Sequence, residues 1–274
     1  MTETAGIAGV FDRAADSYDA VGVEWFGPIA LGLVELLAVR PGERVLDIGC
    51  GRGAALLPLA RAAGPDATVL GIDLAPRMVQ RTAADAAGLP QVEVRLADAR
   101  DPGLPPASFD VIASSLVLFF MPDPGAAIRT WTQLLAGGGR LGVSTFGPQD
   151  ERWQGLDAVF TPYLPDSLLD ARTSGRRGPF ASDEGVAGLL REAGLSEVRT
   201  VRRTVEAVFR DAEQLLAFTW SHGQRAMWEA VAEPRRAALG RQLVQAASRL
   251  ADDRGRLVFS QQVRYTLGHR PAPD

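Results

Sequence analysis

The amino-acid sequence predicts an α/β fold in which buried strands alternate with helices. Two features point to it: short apolar runs end in acidic or glycine-rich turns, and helical patterns follow those turns. The chain has 274 residues, and 46% of its composition is hydrophobic, so it can bury one large core. We therefore expect a parallel sheet with helices on both of its faces.

A glycine-rich turn follows the first predicted strand, residues 45–48. Gly49, Gly51 and Gly53 remove side chains where the backbone bends sharply and approaches a ligand closely. Helical composition begins at Ala54. A strand, a glycine turn and a helix N-terminus in this order are typical of a nucleotide-binding site.

The acid within the first strand helps to choose between ligands. The glycines also satisfy the looser dinucleotide fingerprint, so NAD and FAD have to be weighed. Asp47 argues against both, because its charge would lie beside a pyrophosphate and repel it. S-adenosylmethionine carries an ammonium and a sulfonium group and no phosphate. The charge of Asp47 therefore favours S-adenosylmethionine.

The second predicted strand, residues 68–73, ends in a residue suited to a ribose. Asp73 follows Gly53 by about 20 positions, which is the spacing at which a carboxylate binds two ribose hydroxyls. Leu74 and Met78 come next and could flank an adenine ring. This segment is predicted to bind the nucleoside.

The third and fourth predicted strands, residues 92–100 and 109–123, end in further candidate contacts. Asp98 could accept a hydrogen bond from an exocyclic amine. Ser115 and Leu116 lie at the carboxyl edge of the fourth strand. Open α/β sheets bind their ligands at that edge, so both residues are expected to contact the cofactor.

Taken together in this order, these motifs resemble the class I S-adenosylmethionine-dependent methyltransferases. The closest resemblance is to the small-molecule branch related to the ubiquinone and menaquinone biosynthesis enzymes. The resemblance covers roughly residues 8–147 and is carried by Asp47-x-Gly49-x-Gly51-x-Gly53, Asp73, Asp98-Ala99 and the Phe109-Asp110 strand. It implies a seven-stranded Rossmann-like sheet that ends in an antiparallel hairpin. It also implies S-adenosylmethionine as cofactor and S-adenosylhomocysteine as product.

The resemblance assigns a part of the cofactor to each motif. Asp47 and the glycine turn, with Cys50 inside it, are implied near the methionine moiety. Asp73 is implied at the ribose, and Asp98 with Ala99 at the adenine.

The N-terminal residues 9–26 carry an aromatic helical pattern. Phe11, Ala14, Ala15 and Tyr18 share one face of the predicted helix, which is equally consistent with a helix that only packs on the core. The resemblance adds a lid over the cofactor, with Tyr18 near the sulfonium. An aromatic face there would attract the cation and exclude water.

Insertions in the second half of the chain predict a mainly helical cap over the carboxyl edge of the sheet. Residues 148–182 are rich in proline and aromatic residues, and helical patterns cover 211–232 and 234–252. A sixth strand is expected after the Gly194 helix stop, and the last strand over residues 257–268. We expect one methyltransferase domain over residues 1–274, with a core of about 28–147, 183–210 and 256–270 and a cap from 1–27, 148–182 and 211–255.

Aromatic residues of the cap and of the fourth strand are candidates for binding the substrate. Phe119 and Phe120 stand where many relatives have a His-His pair, and strand alternation should direct only one of them into the pocket. Four cap residues could line an apolar pocket or could only hold the cap to the body: Trp153, Phe160, Tyr163 and Trp220.

His222 is the candidate catalytic residue. Methyl transfer mainly requires an aligned nucleophile, and a base is needed only when a hydroxyl must lose its proton. The chain has two histidines, and His222 interrupts an aromatic helical stretch of the cap. It is expected to act as a general base or to anchor the substrate; the alternative is a structural histidine.

Composition limits the other possibilities. The formal net charge of −4 gives no broad basic face for nucleic acid. A single cysteine excludes an internal disulfide and a cysteine-rich zinc site, so we expect no metal and a cytoplasmic protein. The apolar run 111–121 is far shorter than the about 20 residues that cross a membrane.

Three functions remain open at this point. The first is methyl transfer to a mid-sized apolar small molecule, a secondary metabolite. The second keeps the cofactor and catalyses a non-methylating reaction such as a cyclisation, because a fold and its ligand do not determine the chemistry. The third is a regulator that binds the cofactor without a reaction. The acceptor atom and the oligomeric state are not specified by the sequence.

Overall fold

The computed structural model of the protein describes residues 6–164 and 177–272. Within them, seven strands form one sheet: β1 (Arg44–Ile48), β2 (Thr68–Asp73), β3 (Val92–Leu96), β4 (Phe109–Ser115), β5 (Leu135–Gln149), β6 (Ser196–Phe209) and β7 (Leu257–His269). Their order is β3-β2-β1-β4-β5-β7-β6. β7 runs antiparallel to β5 and β6, whereas the other paired strands are parallel. The predicted seven-stranded sheet with antiparallel final strands is confirmed.

Helices surround this sheet. Those of the described ranges are α1 (Gly6–Ala14), α2 (Phe26–Leu37), α3 (Leu56–Ala63), α4 (Pro76–Asp85), α5 (Pro124–Leu134), α6 (Glu151–Asp157), α7 (Asp183–Glu192), α8 (Ala212–Trp220), α9 (Arg225–Ala230) and α10 (Glu233–Ser248). Short 3₁₀ turns span Leu118–Phe120, Ala158–Tyr163 and Gly178–Ala181. In the part of the chain that the structure describes, no helix is both long and apolar enough to cross a bilayer.

Alternate residues of the central strands belong to two separate apolar cores. Val45 and Val111 pack in the core that includes α2 and α3, whereas Leu46 and Ile112 pack in the core that includes α5 and α7. Side chains of successive strand residues point to opposite faces, so a strand buried on both faces feeds both cores. Helices on both faces of the sheet are therefore confirmed.

Two predicted elements near the carboxyl edge end early. The strand predicted over residues 109–123 stops at Ser115, because Leu116 adopts a left-handed conformation with φ of 59° and redirects the chain. The N-terminal helix ends at Ala14. Tyr18 lies in the following turn, where its backbone N–H still donates to the Ala14 carbonyl at 2.8 Å.

The helix predicted over residues 211–232 is interrupted. It forms α8 and α9, separated by residues 221–224. The hydroxyl of Ser221 donates to the Phe218 carbonyl at 2.8 Å, and a ring nitrogen of His222 lies 2.7 Å from the same oxygen. These side chains satisfy a carbonyl at the end of α8, as helix termini require. Part of the predicted cap segment 148–182, residues 165–176, lies outside the described residues.

Gly32 marks a close contact between α2 and β7. A methyl group added at Gly32 would lie 2.5 Å from the hydroxyl oxygen of Tyr265. That tyrosine is fully buried, and its hydroxyl donates to the Ile29 carbonyl at 3.0 Å. The absence of a side chain at Gly32 therefore allows the helix to approach the sheet closely.

We expect Gly32→Ala to lower the free energy of unfolding by about 1–3 kcal/mol, because overpacking outweighs the greater helix propensity of alanine. Gly188→Ala is the matched control: Gly188 lies in α7, and nothing lies within 4 Å of its added methyl group. The control should gain up to about 1 kcal/mol. Denaturant unfolding of both variants measures the difference, and effects of the same sign would contradict this account.

Candidate active site

The glycine turn after β1 lies where the strand order reverses between β1 and β4, which is where open α/β sheets bind ligands. The N–H groups of Gly49 and Cys50 both donate to the Ile72 carbonyl, at 2.8 and 2.9 Å. This ties the turn to the end of β2. Gly49 has φ of 71°, and a methyl group there would collide with Val117. Gly53 closes the turn by donating to the Cys50 carbonyl at 2.8 Å.

Asp47 is a buried carboxylate in the wall of the cavity. It is 1% exposed, and neither carboxylate oxygen has a hydrogen-bond partner among the described residues. Burial, and secondarily the negative charge of Asp73, raise its pKa to about 7, against a weak lowering by the Leu56 backbone. A cation at this position would stabilise the ionised form.

Asp73, at the end of β2, has backbone partners that Asp47 lacks. Its two carboxylate oxygens accept hydrogen bonds from the N–H groups of Gly51 and Ala75, at 2.8 and 2.9 Å. Burial raises its pKa, and these backbone bonds oppose the rise. Each oxygen keeps a second lone pair, so the carboxylate can still accept from hydroxyl groups of a ligand.

The residues expected at the adenine lie together along the same cavity. Leu74 is 43% exposed and Met78 is buried, and both line the cavity with Asp98 and Ala99. The Arg100 guanidinium donates to both oxygens of Asp98 and holds the pKa of this carboxyl below its usual range. Asp98 is therefore ionised and fixed in position.

Ser115 and Leu116 complete this end of the cavity at the edge of β4. The hydroxyl oxygens of Ser115 and Ser144 lie 2.9 Å apart, and the Leu116 N–H donates to the Ser144 hydroxyl at 3.1 Å. These bonds hold the left-handed Leu116 in place.

The N-terminal segment covers this end of the cavity. Ala15 packs with Ala75 and Met78, and the Tyr18 ring stacks on Phe26 with centroids 4.5 Å apart. Tyr18 lines the cavity, and burial raises the pKa of its hydroxyl well above the usual value. Ion pairs tie the segment to its neighbours: Asp16 pairs with Arg77 and Arg81 of α4, and Arg13 pairs with Glu229 of α9.

Phe119 and Phe120 both line the aromatic end of the cavity. They belong to a 3₁₀ turn rather than a strand, so the expectation that only one of them faces the cavity is wrong. The two rings meet edge to face with centroids 4.7 Å apart. Phe119 stacks on Phe146, and Phe120 packs against Phe11. The result is a continuous aromatic wall.

One of the four predicted cap aromatics, Trp153, lines the cavity, and the other three do not. Phe160 is fully buried and meets Trp228 edge to face at 4.8 Å. Trp220 stacks on the opposite side of the cap against the same Trp228, at 5.1 Å. Tyr163 packs, partly buried, on the surrounding core. These three residues pack on other residues of the cap and core and do not line the cavity, so their contact with a substrate stays a prediction.

His222 lies in the wall of the cavity, between the rings of Phe26 and Phe218. Its Nδ1 is 2.7 Å from the Phe218 carbonyl oxygen. A carbonyl can only accept, so Nδ1 carries the hydrogen, and in the neutral imidazole the acceptor lone pair is then on Nε2. The ring is therefore held in one orientation and one tautomer.

Several residues at this end were not predicted from the sequence. Trp25 and Phe26 add to the aromatic wall, and three glutamines, Gln149, Gln224 and Gln261, add amide groups to it. The Gly223-Gln224 pair could have indicated a helix break after His222. The apolar helical pattern on either side of it outweighed that signal.

The residues described above as lining the cavity belong to one continuous, partly open cavity with a volume of about 190 Å³. One end has carboxylates and backbone groups, and the other is aromatic. The first end fits S-adenosylmethionine. Asp47 is a buried carboxylate there, without a hydrogen-bond partner among the described residues, and it can balance the positive charge of the cofactor. The glycine turn lets the cofactor approach the backbone closely. The second end then accepts an apolar molecule.

Known proteins with similar sequences and structures carry the same fold. Residues 46–143 match the family model described as a methyltransferase domain. Nocamycin O-methyltransferase from Saccharothrix syringae is 41% identical over an alignment of 276 positions, which covers 96% of this chain and 98% of that protein. Aklanonic acid methyltransferase DauC from Streptomyces sp. (strain C5) is 38% identical over 162 residues, 58% of this chain and 74% of that one.

A solved structure shares the architecture at lower identity. The YcgJ protein from Bacillus subtilis aligns with a TM-score of 0.58 at 17% identity, over 89% of this chain and 99% of its own. Together with the relative that matches nearly the whole chain, this establishes the family. The chain belongs to the class I S-adenosylmethionine-dependent methyltransferases.

Proposed function

We propose that this enzyme transfers the methyl group of S-adenosylmethionine to an oxygen atom of a mid-sized, largely apolar secondary metabolite. The observation that carries the proposal is the single cavity that joins the Asp47 end to the aromatic wall around Phe119 and Phe120. A cofactor and an acceptor bound in it would share one water-poor space, which suits a direct transfer between them. The two relatives, nocamycin O-methyltransferase and aklanonic acid methyltransferase, support an oxygen atom of a natural product as the acceptor.

The residues at the polar end have separate roles in this proposal. When bound, S-adenosylmethionine supplies a methyl group on a cationic sulfur. Asp47 stabilises the positive charge of the methionine end, together with the turn of Gly49, Cys50 and Gly51, and Asp73 binds the ribose hydroxyls. Six further residues bind the adenine or the cavity edge beside it: Leu74, Met78, Asp98, Ala99, Ser115 and Leu116. Tyr18, in the N-terminal segment that covers this end of the cavity, excludes water from the cofactor.

His222 is the general base at the acceptor end. Its Nε2 would accept the proton of the substrate hydroxyl that receives the methyl group from the cofactor's sulfur. Nδ1 remains bonded to the Phe218 carbonyl and stabilises the imidazolium that results. Phe119, Phe120 and Trp153 hold the apolar body of the substrate against the wall.

The proposal extends to the setting of the enzyme. We infer one methyltransferase domain over residues 1–274, acting in the cytoplasm on a small molecule and not on nucleic acid. The single cysteine and the formal net charge of −4 support this setting.

Mass spectrometry tests the reaction. The enzyme should convert a hydroxylated, largely apolar natural product into one that is heavier by one methylene, with one S-adenosylhomocysteine formed per product. A changed skeleton at unchanged mass would assign a cyclisation instead, and cofactor binding without turnover of any acceptor would assign a regulator.

The affinity for S-adenosylmethionine should rise with pH through about 7. Below the Asp47 pKa of about 7 the carboxyl is neutral in the free enzyme and must lose its proton when the cation binds. Affinity should fall by up to about tenfold per pH unit below that value, with proton release on binding. Calorimetry between pH 5.5 and 8.5 in buffers of different ionisation enthalpy measures both quantities.

Asp47→Asn is the reference for this experiment, because it keeps the shape of the side chain and removes its titration. The α-amino group of the ligand also titrates, near pH 8, so only the difference between the two profiles belongs to Asp47. Identical profiles for both proteins would contradict the role of Asp47.

His222→Ala should lower kcat by about 10²-fold and leave the affinity for S-adenosylmethionine unchanged, because a base contributes to the transfer and not to cofactor binding. His269→Ala is the matched control, since His269 ends β7 and does not line the cavity. Full turnover in His222→Ala would leave positioning alone to carry the reaction.

A further inference from the structure

The break between α8 and α9 places two polar residues in the acceptor end of the cavity. His222 and Gln224 both line it. In a continuous helix, residues two positions apart lie about 200° apart around the axis and face opposite sides. The irregular residues 221–224 remove that constraint. Two side chains from one short turn therefore face the same space.

Gln224 is held in a defined orientation. Its Nε2 donates to the Asp157 Oδ1 at 3.0 Å. A carboxylate only accepts hydrogen bonds, so the amide nitrogen must face Asp157, and this contact decides which end of the amide is which. Gln224 is 2% exposed, and within the described ranges its Oε1 has no hydrogen-bond partner. Gln224 thus adds a buried, unsatisfied amide oxygen to the cavity wall beside His222.

Aromatic rings lie next to the turn that holds Gln224. The neighbouring Gly223 lies against the rings of Phe11 and Phe120, and an added methyl group there would be 3.2 Å from the Phe11 ring. A buried acceptor in such a wall strongly distinguishes ligands that donate a hydrogen bond to it from ligands that do not. Gln224 is two residues from His222, so it would discriminate between ligands next to the reacting group.

We propose that Gln224 Oε1 accepts a hydrogen bond from a hydroxyl group of the acceptor substrate, and that Asp157 is the residue that positions it. This proposal rests on the proposed function. The hydroxyl bound by Gln224 differs from the one that His222 deprotonates, because a hydroxyl has a single proton to give. The substrate class is therefore a largely apolar molecule with at least two hydroxyl groups, of which one is methylated and one is recognised.

Ligand binding in the presence of saturating S-adenosylhomocysteine tests the proposal without requiring turnover. The probes are 2-hydroxyanthraquinone and a panel of dihydroxyanthraquinone isomers that differ in the position of the second hydroxyl. At least one isomer should bind the wild-type enzyme about tenfold more tightly than the monohydroxy compound. Gln224→Met should remove that preference and leave the affinity for 2-hydroxyanthraquinone unchanged. Asp157→Asn should reduce the preference, because the amide is no longer held in one orientation.

Gln91→Met is the matched control. Gln91 also has a buried Oε1 without a hydrogen-bond partner in the described residues, but it does not line the cavity. Its variant should keep the wild-type preference. A structural role for Gln224 would lower the thermal stability of Gln224→Met without changing the preference.

Two results would overturn the proposal: no isomer preferred by the wild-type enzyme, or the same preference retained in Gln224→Met. Its failure is separable from that of the proposed function. A preference that depends on Gln224 in an enzyme that methylates no acceptor would leave the recognition intact, and methyl transfer that is insensitive to Gln224→Met would leave only the proposed function.

Discussion

The unpaired buried charge of Asp47 is the constraint on which the cofactor end of the structure depends. Removing a carboxylate from water is costly unless it gains partners or becomes neutral. Asp73 gains two backbone N–H groups from the turns around it, whereas Asp47 gains none of comparable strength among the described residues. The pair is thus asymmetric: one acid is satisfied by the protein, and the other is satisfied when a cation binds. The glycine turn and the N-terminal segment line the same cavity as these two acids, at the point where the strand order reverses.

The cofactor end could be predicted from the sequence because its determinants are local. Each of its acids follows a short apolar strand, and parallel strands bring their carboxyl ends to one edge. Asp47, Asp73 and Asp98 therefore meet there as expected. The fourth strand, which lies next to these acids, was predicted too long, and this error has a local cause too. The left-handed Leu116 ends β4, and a non-glycine residue in this conformation gives no reliable signal in a sequence.

The acceptor end was predicted less well because it depends on contacts between distant segments. Aromatic residues at helical spacing are expected both in a core and in a cavity wall, so the pattern could not separate Trp153 from Phe160 or Trp220. Trp228 makes the difference, since both of the latter pack against its ring and not into the cavity. The helix break that places Gln224 in the cavity wall also depends on tertiary contacts, because His222 packs between Phe26 and Phe218.

The division of the cavity between different parts of the chain has an evolutionary consequence. Its polar end is built from the turns that follow β1, β2 and β3, together with the edge of β4, whereas much of its aromatic end comes from the cap. Substitutions in residues 221–224 change the surface offered to an acceptor without altering the strands that hold Asp47 and Asp73. A duplicated gene can therefore diverge toward new acceptors one residue at a time while its donor chemistry is inherited intact.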